Sequence, residues 1–132
     1  MFFKKKYVDE LLHPTIEDFD TIVGASTVIH GRIVTDTGLR IDGTVIGDIE
    51  GQANGKISVA LGKTGKVEGD IHAYRVLIAG YVEGNIYAAE RVEFHKDSIV
   101  QGDISYGSIA VEHGARLLGL VIQNPISSAA AN

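Results

Sequence analysis

The sequence predicts an all-β domain, a single-stranded right-handed parallel β-helix of about six turns with short flexible tails, and three observations lead there. Ile and Val number 29 of 132 residues against 8 Leu, and branching at Cβ suits the pleated surface of a strand better than the crowded side of a helix. The only prolines are Pro14 and Pro125. The 110 residues between them lack one altogether, as expected where nearly every backbone N–H is needed in a hydrogen-bonded ladder. The third observation is a phrase, apolar-x-Gly-x-apolar, that recurs along the chain and usually carries Asp or Asn after the glycine.

In chain order, residues 1–14 form a tail that opens Met1-Phe2-Phe3-Lys4-Lys5-Lys6-Tyr7. A signal peptide is excluded, because the apolar part precedes the charges and is too short, and no apolar run approaches the ~20 residues needed to span a bilayer. Phe2 and Phe3 beside Lys4, Lys5 and Lys6 instead pair aromatic wedges with cations, a combination suited to shallow insertion into an anionic leaflet. A cytoplasmic protein attached to the inner face of the cytoplasmic membrane is therefore expected.

Residues 15–123 form the coil. The phrase occurs as Ile29-His30-Gly31-Arg32-Ile33, Val45-Ile46-Gly47-Asp48-Ile49, Val67-Glu68-Gly69-Asp70-Ile71, Val82-Glu83-Gly84-Asn85-Ile86, Val100-Gln101-Gly102-Asp103-Ile104 and Leu117-Leu118-Gly119-Leu120-Val121. Its glycines are 16, 22, 15, 18 and 17 residues apart. A second phrase precedes it, as Leu39-Arg40-Ile41, Ile57-Ser58-Val59, Val76-Leu77-Ile78, Val92-Glu93-Phe94 and Ile109-Ala110-Val111. A unit of ~17 residues with such short strands cannot bury its own apolar side, but stacked units bury theirs against neighbours. Each strand then pairs in parallel with its equivalent one turn away at ~4.8 Å, and six turns make a rod of ~29 Å. Parity places the flanking apolar residues and the structural corner glycines Gly31, Gly47, Gly69, Gly84, Gly102 and Gly119 inward, where two walls come close. The unequal turn lengths favour right-handed coiling.

Residues 124–132 are expected to form a short disordered tail, since the stretch is not amphipathic. Neither tail is an evident cap, so both ends of the rod expose unpaired N–H and C=O groups. End-to-end polymerisation is the consequence, with Ile22, Val23 and Val28 at one end and Leu117, Leu118, Leu120 and Val121 at the other as its interface. Filament formation requires no nucleotide on this reading.

The formal charge of −5 opposes nucleic acid as a partner. The chain has no cysteine, which excludes a disulfide scaffold, a thiolate metal site and a cysteine nucleophile. His13, His30, His72, His95 and His113 lack metal-motif spacing and read as solvated or corner residues. Asp48, Asp70, Asn85 and Asp103 form a column after the glycines, read as Asx-type bonds to the corner backbone. No phosphate-cradling loop and no nucleophile elbow occur. No catalytic residue, cofactor or metal is assigned. The alternative is a trimeric β-helix enzyme, an acyltransferase or a metal-dependent hydratase with sites between subunits, against which stand the missing hexad period and metal spacing.

The Met-Phe opening with its lysines, the run Thr21-Ile22-Val23-Gly24-Ala25-Ser26-Thr27-Val28-Ile29-His30-Gly31, and the serial Val-Glu-Gly-Asp/Asn-Ile turns resemble the bactofilins, a bacterial polymer-forming cytoskeletal family. The first and last units depart from the pattern, with Arg32 and Leu120 where an acidic or amide residue is usual. The resemblance implies a right-handed β-helix, nucleotide-independent filaments on the inner membrane face, and scaffolding of cell-shape or cell-envelope machinery. Its implied partners are further copies of itself, the membrane, and cell-envelope enzymes or other clients.

Overall fold

The computed structural model describes residues 19–52 and 55–125. Among these residues there are fifteen strands, all in parallel pairing, and no helix. The chain winds as a β-solenoid of six rungs, each contributing a strand to three faces. The first face holds β1 (Phe19–Val23), β4 (Gly38–Ile41) and β7 (Ser58–Leu61). On the second lie β2 (Val28–His30), β5 (Thr44–Ile46), β8 (Lys66–Glu68), β10 (Tyr81–Glu83), β12 (Ile99–Gln101) and β14 (Arg116–Leu118). The third holds β3 (Ile33–Thr35), β6 (Ile49–Gly51) and β15 (Val121–Gln123). Three longer strands, β9 (Ile71–Ile78), β11 (Ile86–Phe94) and β13 (Ile104–Val111), run through the third face and bend into the first face of the next rung.

Register explains why Ile and Val dominate. Val45, Val67, Val82 and Val100 stack one above the next on the second face, and Ile49, Ile71, Ile86 and Ile104 do so on the third. All eight are fully buried. A rung in the middle of the stack meets the same environment above and below, so one stiff, β-branched shape serves at every level. The largest buried side chain, Phe94, sits in the fifth rung of the first face, between Ile78 and Val111.

The structure corrects one detail of the repeat. Leu39-Arg40-Ile41 pairs with Val59-Ala60-Leu61, not with Ile57-Ser58-Val59. The extra residues after β6 lengthen this turn of the coil and move the true equivalent by two positions, a shift that period-2 alternation cannot reveal. Corner length also varies between the first and second faces. Four-residue turns at 24–27, 62–65, 95–98 and 112–115 contrast with two-residue corners at 42–43 and 79–80.

Candidate functional site

The corner between the second and third faces is built from the repeated Gly-Asx pair. The six glycines have φ between 139° and 156°, a region that residues with a Cβ rarely adopt. A Cβ on Gly47, Gly69, Gly84, Gly102 or Gly119 would lie 2.0–2.2 Å from the carbonyl oxygen of the glycine one rung before. The missing Cβ therefore points along the stack, and the expectation that it points inward is corrected. Two stacked rungs approach too closely here for any side chain.

The Asx column completes this ladder. The N–H of Gly31, Gly47, Gly69, Gly84 and Gly102 donates to the next rung, as in Gly69 to the Glu83 carbonyl at 3.0 Å. The following N–H turns the other way. Asp70, Asn85, Asp103 and Leu120 donate theirs to Oδ1 of Asp48, Asp70, Asn85 and Asp103, at 2.8–3.0 Å. The structural reading of this column holds, but the bond runs between rungs rather than within one corner. Each side chain satisfies a donor that the backbone alone would leave without a partner. Arg32 and Leu120 stand at the two limits of the column because the series ends there; Arg32 pairs instead with Glu50.

At the rod's ends, the described strands of the first rung pair only with the second, and those of the last only with the fifth. Ile22, at 61% exposure, and Val28 lie open at the first rung, one on each of two faces. Val34, which the sequence reading missed, supplies the third face. Outward parity in a terminal unit was the signal that would have found it. Val23 does not join them: it is 4% exposed and turned into the core, so its side chain is no part of an open surface.

At the opposite end Leu118, Leu120 at 64%, Val121 and Ile122 are exposed, while Leu117 is half-buried against the core. Val111 and Val121 are at core-facing positions and are exposed because no further rung covers them. Val111 too was missed. One more observation distinguishes the first rung: a Cβ on Gly31 would meet nothing within 4 Å, where an internal corner has a carbonyl.

Phe2, Phe3, Lys4, Lys5 and Lys6 lie outside the described residues, as do His13, the rest of residues 1–18, and 126–132. His72 stacks on Tyr87 with ring centroids 4.4 Å apart. Among the described residues no three His, Asp or Glu side chains converge so as to hold a metal ion.

Residues 21–121 match the model of the family described as Bactofilin, polymer-forming cytoskeletal. The chain is 41% identical over 102 residues to Bactofilin BacO of Myxococcus xanthus, covering 77% of this chain and 78% of that protein. It is 31% identical over 102 residues to Bactofilin BacP of the same organism, covering 77% of this chain and 41% of BacP. A cryo-EM reconstruction of Thermus thermophilus bactofilin double helical filaments superposes with a TM-score of 0.70 at 31% identity, covering 79% of this chain and 99% of that one.

Proposed function

Since this chain belongs to the bactofilin family of polymer-forming cytoskeletal proteins, we propose that it assembles end to end, without nucleotide, into a filament that scaffolds cell-shape or cell-envelope machinery. The observation that carries this reading is the pair of open ends. Among the described residues, the strands at both ends pair on one side only and carry exposed apolar side chains, Ile22, Val28 and Val34 at one end and Leu118, Leu120, Val121 and Ile122 at the other. Stacking a further rung on either end removes apolar surface from water at ~25 cal/mol per Å² and pairs the free backbone groups. Among the described residues nothing lies within 4 Å of where a Cβ on Gly31 would stand, the position that a carbonyl of the preceding rung fills at internal corners. Like the Thermus filaments, two such polymers wind side by side.

The filament lies on the inner face of the cytoplasmic membrane, held by Phe2, Phe3, Lys4, Lys5 and Lys6. Each Lys near an anionic leaflet contributes ~1 kcal/mol, so one tail binds weakly. A filament carrying many tails binds firmly, because after the first contact the others act at high effective concentration. Cell-envelope enzymes or other clients recruited along the polymer complete the scaffold role.

Electron microscopy and sedimentation of the purified protein without ATP or GTP test the assembly. Filaments that pellet are expected, and a single small species at micromolar concentration would overturn it.

A further inference from the structure

We propose that a groove on the first face of the coil seats residues 8–12 of its own chain, Val8-Asp9-Glu10-Leu11-Leu12, with the leucines on its floor and the two acids toward its cations. The groove has a volume of about 460 Å³ and arises from unequal corners. The four-residue turn at 62–65 stands out beyond the two-residue corners at 42–43 and 79–80 on the neighbouring rungs. Its Lys63 and Thr64 make one wall. The Thr64 hydroxyl donates to the Asp42 carbonyl at 2.6 Å, which ties that wall to the rung before.

The floor is an outward column of the first face, where Arg40, Ala60 and Leu77 follow one another rung by rung, with Ala79 beside them. Ala60, Leu77 and Ala79 are half-buried and bring no polar side-chain atom. At the same levels the second face carries Lys66 and Tyr81 beside Glu68 and Glu83. The third carries His72 and Tyr87, one on the other.

Charge and reach name the occupant. Arg40 and Lys63 outnumber Asp42 in the lining, within a chain of formal charge −5. Asp42 accepts from Arg40 Nε at 3.0 Å, whereas Lys63 is exposed and no ion pair of its ammonium is found among the described residues. An acidic and apolar segment complements such a lining. Outside the described residues, 53–54 are Ala-Asn and 126–132 hold no acid, which leaves 8–12 and Ile16-Glu17-Asp18.

Length separates these two. Phe19 pairs with Gly38, four positions before Asp42, and the groove is centred two rungs from Phe19, so the path is ~16 Å. Ile16 stands three residues from Phe19 and spans at most ~11 Å, whereas Leu12 stands seven away and spans ~23 Å. The path runs over the side of the coil and leaves the open edge of the first rung free. Residues 2–6 then leave the coil from the first face. On the proposal that they bind lipid, that face is the one turned to the membrane.

The chain contains no cysteine, which permits a direct test. Leu11→Cys/Ala60→Cys and, as control, Leu11→Cys/Glu83→Cys are oxidised mildly, and disulfide-linked peptides are measured by mass spectrometry beside a non-reducing gel. A link within one chain is expected, several-fold more abundant in the Ala60 pair than in the control on the second face. Equal yields overturn the seating, and so does a link between chains in place of one within a chain, which would give the groove to a neighbouring copy. Lys63→Glu is expected to lower the yield several-fold and Glu10→Lys to restore it; an unchanged yield in Lys63→Glu also overturns it.

The orientation is read on phosphatidylglycerol vesicles that carry a nitroxide headgroup. A fluorophore at Glu93→Cys, on the first face, is expected to be quenched several-fold more than one at Glu83→Cys. Equal quenching on bound filaments overturns the orientation. Because the disulfide forms within one chain, absence of filaments or of vesicle binding leaves the seating standing and refutes the assembly or the membrane attachment instead.

Discussion

Replacing Gly84 and Gly31 by alanine, separately, tests why glycine stands at every corner. Both have positive φ, 152° and 139°, so both substitutions incur a conformational cost of about 1–3 kcal/mol. Only Gly84 adds a collision: its new Cβ would lie 2.0 Å from the Gly69 carbonyl oxygen, whereas that of Gly31 meets nothing within 4 Å. Contacts under 3.0 Å are essentially never observed for a Cβ, so the two rungs must part by roughly 1 Å. The bonds from Gly69 N–H to the Glu83 carbonyl, 3.0 Å, and from Ile71 N–H to the Asn85 carbonyl, 2.9 Å, span that gap. Weakening two such bonds adds about 2–3 kcal/mol, for a total of about 3–6 kcal/mol at Gly84 against about 1–3 at Gly31. Urea unfolding followed by circular dichroism measures both, in a Leu120→Lys background that keeps assembly out of the equilibrium. Equal losses at the two positions would refute the collision and leave backbone conformation as the whole reason for glycine.

Three further outcomes are expected. Asp70→Ala deprives the Asn85 N–H of its acceptor and costs about 1–3 kcal/mol, while Asp70→Asn keeps an Oδ1 and shifts the urea midpoint little. Leu120→Lys abolishes pelleting with the circular-dichroism spectrum intact, because the side chain is exposed; Leu117→Lys lowers the melting temperature as well, because that side chain packs on the core. Deleting residues 2–6 leaves filaments intact by microscopy and removes their flotation with anionic liposomes; unchanged flotation would show that another part of the chain binds lipid.

Much of the architecture was legible because a stacked coil writes itself into the sequence. The valine column at positions 45, 67, 82 and 100 and the isoleucine column at 49, 71, 86 and 104 recur at fixed distances from a glycine, and each marks a buried position. The second phrase was less secure where the repeat was interrupted. Ile57-Ser58-Val59 and Val59-Ala60-Leu61 share one parity and one chemistry, and only the hydrogen-bonded pairing with Leu39-Arg40-Ile41 separates them. Val23 shows the same limit at the end of the rod, since an apolar residue in a terminal unit can face the core or the open end.

Sequence alone determined the fold class, the number of turns and the inward columns, because these depend on side-chain period and on where proline is absent. Tertiary structure decided what depends on the distance between rungs. It turned the corner glycines from an inward bend into a close carbonyl approach along the axis, and the Asx column from a local corner bond into a ladder between rungs. The physical reason is that both contacts join residues 15–22 positions apart. Their geometry exists only once one turn has been laid on another.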